Sequence, residues 1–236
     1  MVRARYGTGV FLKLIKRNCE IRIRLTPCDC DFLRVHLRIG GDNHYFYPSC
    51  VMGSQFSAFL TAVYHLYEEN NIKHTYWPRK IKEFKHEYPY AREDQQHLIT
   101  SALYWDEEGY THNIIFKRHC PNDIVTNSDN PDPIQITIEN AKTYEYTVDG
   151  RELCYAVAKG CTEALKKYGI AGYEKSTGMQ YPGDKLDIEK LLFVKAYALN
   201  VMDARGTYEL WANPNGWESA EASDFEKEME LLRFDM

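Results

Sequence analysis

The 236-residue chain is 44% hydrophobic and 27% charged, enough apolar material for a packed core and too apolar for a disordered chain. Its formal charge of -5 is unevenly placed: residues 1–90 hold 14 Lys/Arg against 8 Asp/Glu, and residues 91–236 hold 15 against 26. No stretch approaches the roughly 18–20 apolar residues of a membrane span, and Lys13, Lys16 and Arg17 break up the N-terminal apolar residues, so neither a span nor a secretory signal is expected.

Val10, Leu12 and Leu14 alternate with other residues, as do Ile21, Ile23 and Leu25, the period-2 pattern of half-buried strands. They predict a first hairpin. Leu33, Val35, Leu37 and Ile39 alternate in turn, Gly40-Gly41-Asp42-Asn43 suits a tight turn, and His44 to Pro48 predicts the returning strand of a second hairpin. From Ser54, a candidate cap, the spacing of Phe56, Phe59, Leu60, Val63, Leu66 and Tyr67 changes to that of a helix with one buried stripe.

The same order recurs downstream. Leu98 to Trp105 and Thr111 to Arg118 flank Asp106-Glu107-Glu108-Gly109 as a hairpin. After a loop rich in Asn, Asp and Pro (Pro121 to Pro133), Ile134, Ile136 and Ile138 alternate, Asn140-Ala141 turns the chain, and Tyr144, Tyr146 and Val148 return. Asp149 and Glu152 have capping-box spacing, and Leu153 to Tyr168 carries a helical stripe that stops at Gly169. Lys185 to Met202 predicts a helix apolar on most sides and therefore buried; Asp224 to Leu232 predicts a short amphipathic one. The expected fold class is α+β: two tandem antiparallel four-strand-plus-helix (ββββα) units with additional C-terminal helices. The expected division is a first half over 1–75, a basic-aromatic linker over 76–97, a second half over 98–180, and a helical segment over 181–236 packing on the fold. In outline the tandem order resembles the repeats of the Pur-alpha family, which bind single-stranded nucleic acid. The resemblance is topological, and no site residue is carried over from it.

Catalytic patterns are absent. Cys28-Asp29-Cys30 has one intervening residue where zinc and redox motifs use two, and the seven cysteines, odd in number and mostly within expected strands or helices, fit reduced thiols in a cytoplasmic setting. His119-Cys120 is adjacent in sequence, but neighbours on a strand point to opposite faces. The eight histidines form no metal motif; His36 and His44 could meet across the second hairpin, with His112 in another strand. Gly40-Gly41 and Gly169-Ile170-Ala171-Gly172 lack the spacing and lysine of a phosphate loop. Glu107-Glu108 and Glu68-Glu69 read as solvated charge. No catalytic residue, metal or cofactor is assigned.

Two binding surfaces stand out. Trp77-Pro78-Arg79-Lys80-Ile81-Lys82-Glu83-Phe84-Lys85-His86-Glu87-Tyr88-Pro89-Tyr90 interleaves aromatics with cations, the composition that stacks bases and neutralises phosphates, although a linker whose aromatics pack onto the fold would read the same way. Its candidate binding residues are Trp77, Arg79, Lys80, Lys82, Phe84, Lys85, Tyr88 and Tyr90. Arg22, Arg24, Arg34 and Arg38 extend a basic sheet face. The 18 tyrosines and overall acidity suit a non-enzymatic protein-binding module such as a bacterial immunity or inhibitor protein. The expected partner is another protein, the alternative single-stranded nucleic acid bound by the basic N-terminal half; no membrane is expected, and unpaired strand edges allow a homodimer.

Overall fold

A computed structural model describes residues 20–28, 32–49, 55–67, 90–95, 98–119, 132–172, 188–199, 225–233 and 235–236. The architecture is mixed α+β, with two antiparallel sheets and four main helices among the described residues. β1 (Ile21–Cys28), β2 (Phe32–Ile39) and β3 (Asp42–Phe46) form a three-stranded meander, and α1 (Gln55–Tyr64) follows it. β4 (Tyr90–Gln95), β5 (Leu98–Asp106), β6 (Thr111–His119), β7 (Pro133–Glu139) and β8 (Thr143–Asp149) form the second sheet in sequence order. α2 (Gly150–Tyr168), α3 (Ile188–Ala198) and α4 (Phe225–Arg233) complete the chain.

The alternation in sequence becomes alternation in space. In β1 Ile21, Ile23 and Leu25 are buried while Arg22 and Arg24 are exposed; in β2 Leu33, Val35, Leu37 and Ile39 are buried while Arg34 and Arg38 are exposed. Gly40 and Gly41 turn β2 into β3 with φ of 56° and 92°, a region that glycine enters without a Cβ penalty. The buried face of this sheet lies under α2, where Gly160 lets helix and strand approach: a Cβ there would stand 3.0 Å from the Ile23 carbonyl oxygen. Asp149 caps α2, its carboxylate accepting from the Arg151 and Glu152 amides, and the chain leaves the helix at Gly169.

One hydrophobic cluster takes residues from both sheets and all four helices, including Leu37 and Phe46, Phe59, Trp105 and Phe116, Ile136, Val157, Phe193 and Leu231. Phe46 reaches Trp105 across the sheets with ring centres 5.1 Å apart, and Phe59 of α1 covers the same tryptophan at 5.6 Å. A smaller cluster, Ala102 and Tyr104 against Ile115, sits on the opposite face of the five-stranded sheet. Polar bonds also join the sheets: the His44 Nε2–H donates to the Tyr146 hydroxyl at 2.8 Å, which donates to Asp42 at 3.0 Å.

Several expectations need correction or fall outside the described residues. The linker expected over 76–97 contains a strand, β4, paired in register with β5 from Tyr90↔Leu103 to Gln95↔Leu98. Its sequence, YAREDQ, is mostly polar and shows no apolar alternation, so backbone pairing supplied by β5 makes the strand. β5–β8 and α2 follow the expected order. The strand expected at Val10 to Leu14 and the cap at Ser54 lie outside the described residues, and those before α1 show three strands.

Candidate functional site

Two places concentrate polar chemistry. The first is buried where α1, β6, β7, α2 and α3 converge. Arg118 of β6 meets Asp132 at 2.8 Å and donates to the Leu66 carbonyl at 3.0 Å. The other Asp132 oxygen accepts the Tyr67 hydroxyl at 3.1 Å and the Tyr197 hydroxyl at 2.7 Å. The guanidinium lies 4.3 Å from the centre of the Tyr67 ring. Burial alone would lower the Arg118 pKa, but the charge and hydrogen bond of Asp132 together with the Tyr67 and Tyr197 phenols outweigh it and hold the guanidinium firmly charged. Burial, with the charge of Asp132 added, pushes both phenols up. Cys154 stands beside this group, its thiol pushed up by burial, the opposite of what an attacking thiolate needs. With Arg118 1% exposed and Cys154 0%, substrate has no access to either, and the cluster acts as an internal clamp.

The second place is the outward face of the three-stranded sheet. β1–β2 pairing sets Arg22 opposite Arg38, Arg24 opposite His36 and Thr26 opposite Arg34. β2–β3 pairing sets Arg38 opposite Asn43 and His36 opposite Tyr45. The Phe32↔Ser49 bridge and the Leu33 amide to Pro48 carbonyl bond carry the same register on, which puts Tyr47 opposite Arg34. Three rows result: Arg22, Arg38, Asn43; then Arg24, His36, Tyr45; then Thr26, Arg34, Tyr47. Tyr45 lies flat on His36, 4.5 Å between centres and 6° between planes, and Arg34 sits over the Tyr47 ring at 5.5 Å. The histidine is held at its ring edge by a 2.9 Å bond between its Nε2 and the Asn43 Oδ1. Tyr45 and Tyr47 stay 58% and 41% exposed, so this stacking leaves ring surface to solvent.

No acidic residue occupies the nine positions of the face, although Glu20, just before β1, binds Arg22 at 2.6 Å. Asp42 belongs to the opposite face, where it meets Tyr146. At the far end the Tyr47 amide donates to Glu107, whose carboxylate also faces His112 at 3.2 Å. Glu107 therefore ties the end of β3 to the β5–β6 turn, where solvated charge was expected.

Of the residues singled out in the sequence, Arg22, Arg24, Arg34 and Arg38 come together on this face. Trp77, Arg79, Lys80, Lys82, Phe84, Lys85 and Tyr88 lie outside the described residues; Tyr90 begins β4. His36 and His44 do not meet across the hairpin, because His44 pairs with Leu37 and points into the core while His36 points out. Cys120 lies outside the described residues, as do Glu68 and Glu69. Among the described residues no three His, Cys, Asp or Glu side chains gather as metal ligands, and no helix is long and apolar enough to cross a membrane. The sequence reading missed Tyr45 and Tyr47, yet their parity against His44 and Phe46 already places them outward.

No family model matches the chain, and no curated protein or solved structure does either.

Proposed function

We propose that this protein binds single-stranded nucleic acid on the outward face of β1–β3. One observation carries the reading: four arginines share a sheet face with two exposed tyrosines, and the nine paired positions of that face hold no acidic residue, Glu20 meeting Arg22 only at its edge. Arginines neutralise phosphates and aromatic rings stack unpaired bases, a combination that favours single strands over a duplex, whose bases are hidden from a flat sheet. The aromatic and basic residues between Trp77 and Tyr90 are of the same chemical kind as those of this face. The tandem ββββα arrangement is likewise retained as a proposal, with β5–β8 and α2 as its better described unit. A protein partner of the immunity or inhibitor kind is the competing reading, supported by the exposed tyrosines and the overall acidity.

Fluorescence anisotropy with labelled single-stranded DNA and RNA, at low and physiological salt, tests the proposal. Binding is expected to weaken with salt, and replacing Arg22, Arg24 and Arg38 by Ala should lower the log–log salt slope by about 0.7 for each phosphate no longer neutralised. Binding that ignores both salt and these arginines would overturn it and leave a protein partner in the lead. A larger loss on neutralising Lys80, Lys82 and Lys85 would move the site off the sheet.

A further inference from the structure

The face is not uniform: its cations lie over β1 and β2, and its two tyrosines lie along the β3 edge. Resting on the reading above, we infer that the ligand strand runs alongside β3, with its phosphates over the arginines and two consecutive bases stacked on Tyr45 and Tyr47. Same-face residues two apart on a strand stand about 6.7 Å from one another, a spacing an extended sugar-phosphate chain can match at one nucleotide per tyrosine. Stacked neighbouring bases in a helix sit much closer together, so the site selects an unstacked strand.

Each ring is backed from β2. His36 supports Tyr45 face to face and is itself held by Asn43, and Arg34 lies over Tyr47. These contacts cover one side of each tyrosine and restrict its rotation, so a base arriving on the open side meets a ring already in place. His36 and Arg34 are thus positioning residues, and Tyr45 and Tyr47 touch the bases. Stacking on phenol rings reads no base edge, so the pair is indifferent to sequence, and the Tyr45 and Tyr47 hydroxyls are dispensable.

The test uses the full chain, an all-thymidine DNA oligomer, and an abasic oligomer of the same length and charge. Tyr45→Ala and Tyr47→Ala should each weaken binding of the thymidine strand about 10-fold while leaving the abasic strand unaffected, and Tyr45→Phe should bind as the wild type does. Replacing Arg22, Arg24 and Arg38 by Ala should weaken both strands. Equal losses on the two strands, or none on the thymidine strand, would overturn base stacking while leaving nucleic-acid binding intact. Failure of the wild type to bind either strand would overturn the underlying reading and this one with it. Both tyrosines are exposed, so far-ultraviolet circular dichroism is expected to show an unchanged fold in the variants.

Discussion

Arg118 stands on β6 in step with Ile114 and Phe116, a position whose neighbours are apolar core. A guanidinium there costs several kcal/mol of desolvation, which Asp132, the Leu66 carbonyl and the Tyr67 ring offset. Removing one partner of such a pair leaves the other buried without its counter-charge. Arg118→Met should therefore destabilise the fold by about 3–5 kcal/mol in chemical denaturation, and the Arg118→Met/Asp132→Asn double variant by less than the sum of the two single changes. Additive losses would show that the two charges do not cooperate. The parity of Arg118 was legible in the sequence, since it alternates with Ile114 and Phe116. Its partners were not, because Tyr67, Asp132 and Tyr197 lie far apart along the chain and meet only in the folded core.

At the level of elements, Gly150 opens α2 directly under this clamp. Its amide donates to the Asp132 carbonyl at 2.8 Å, and a Cβ at this position would overlap the Asp132 carboxylate and the Tyr67 hydroxyl. Helix propensity favours Gly150→Ala by up to about 1 kcal/mol, but displacement of a buried ion pair outweighs that. The variant should be less stable by about 1–3 kcal/mol, and a higher Tm than that of the wild type would refute the packing argument. α3 and α4 are fastened more simply. Tyr64 and Phe193 meet edge to face at 4.9 Å, and Lys195 donates to the Leu232 carbonyl at 3.4 Å at the end of α4, where a cation suits the helix dipole. The elements themselves follow from local periodicity, and so most were readable in advance. β4 was not: a polar segment becomes a strand when a neighbour offers a free edge.

Across the whole molecule, one core spans both sheets, so they are expected to unfold together. Guanidinium titrations followed by circular dichroism and by tryptophan fluorescence should show coincident transitions near neutral pH. Two separated transitions would mean that the sheets are independent. Alkaline pH should move the midpoint. Burial and the charge of Asp132 raise the Tyr67 and Tyr197 phenols above their ordinary value of about 10. The stability these phenols contribute is whole below that pH and is lost as pH climbs above it, while the folded state resists deprotonation. Tyr197→Phe should blunt that loss, and an unchanged pH dependence in this variant would show that the hydroxyl does not carry it.

The alternation of β1, β2 and β5–β8, the helical stripes of α1 and α2, the Asp149 cap and the outward parity of the four arginines were determined by the sequence alone, because each depends on residues a few positions apart. Only the tertiary structure decided which strands pair and in what register. That register sets Tyr45 on His36 and Tyr47 under Arg34, and so turns scattered cations and aromatics into one face. It also decided which charges are buried, because the low-dielectric pocket around Arg118 and Asp132 exists only where five distant segments close upon each other.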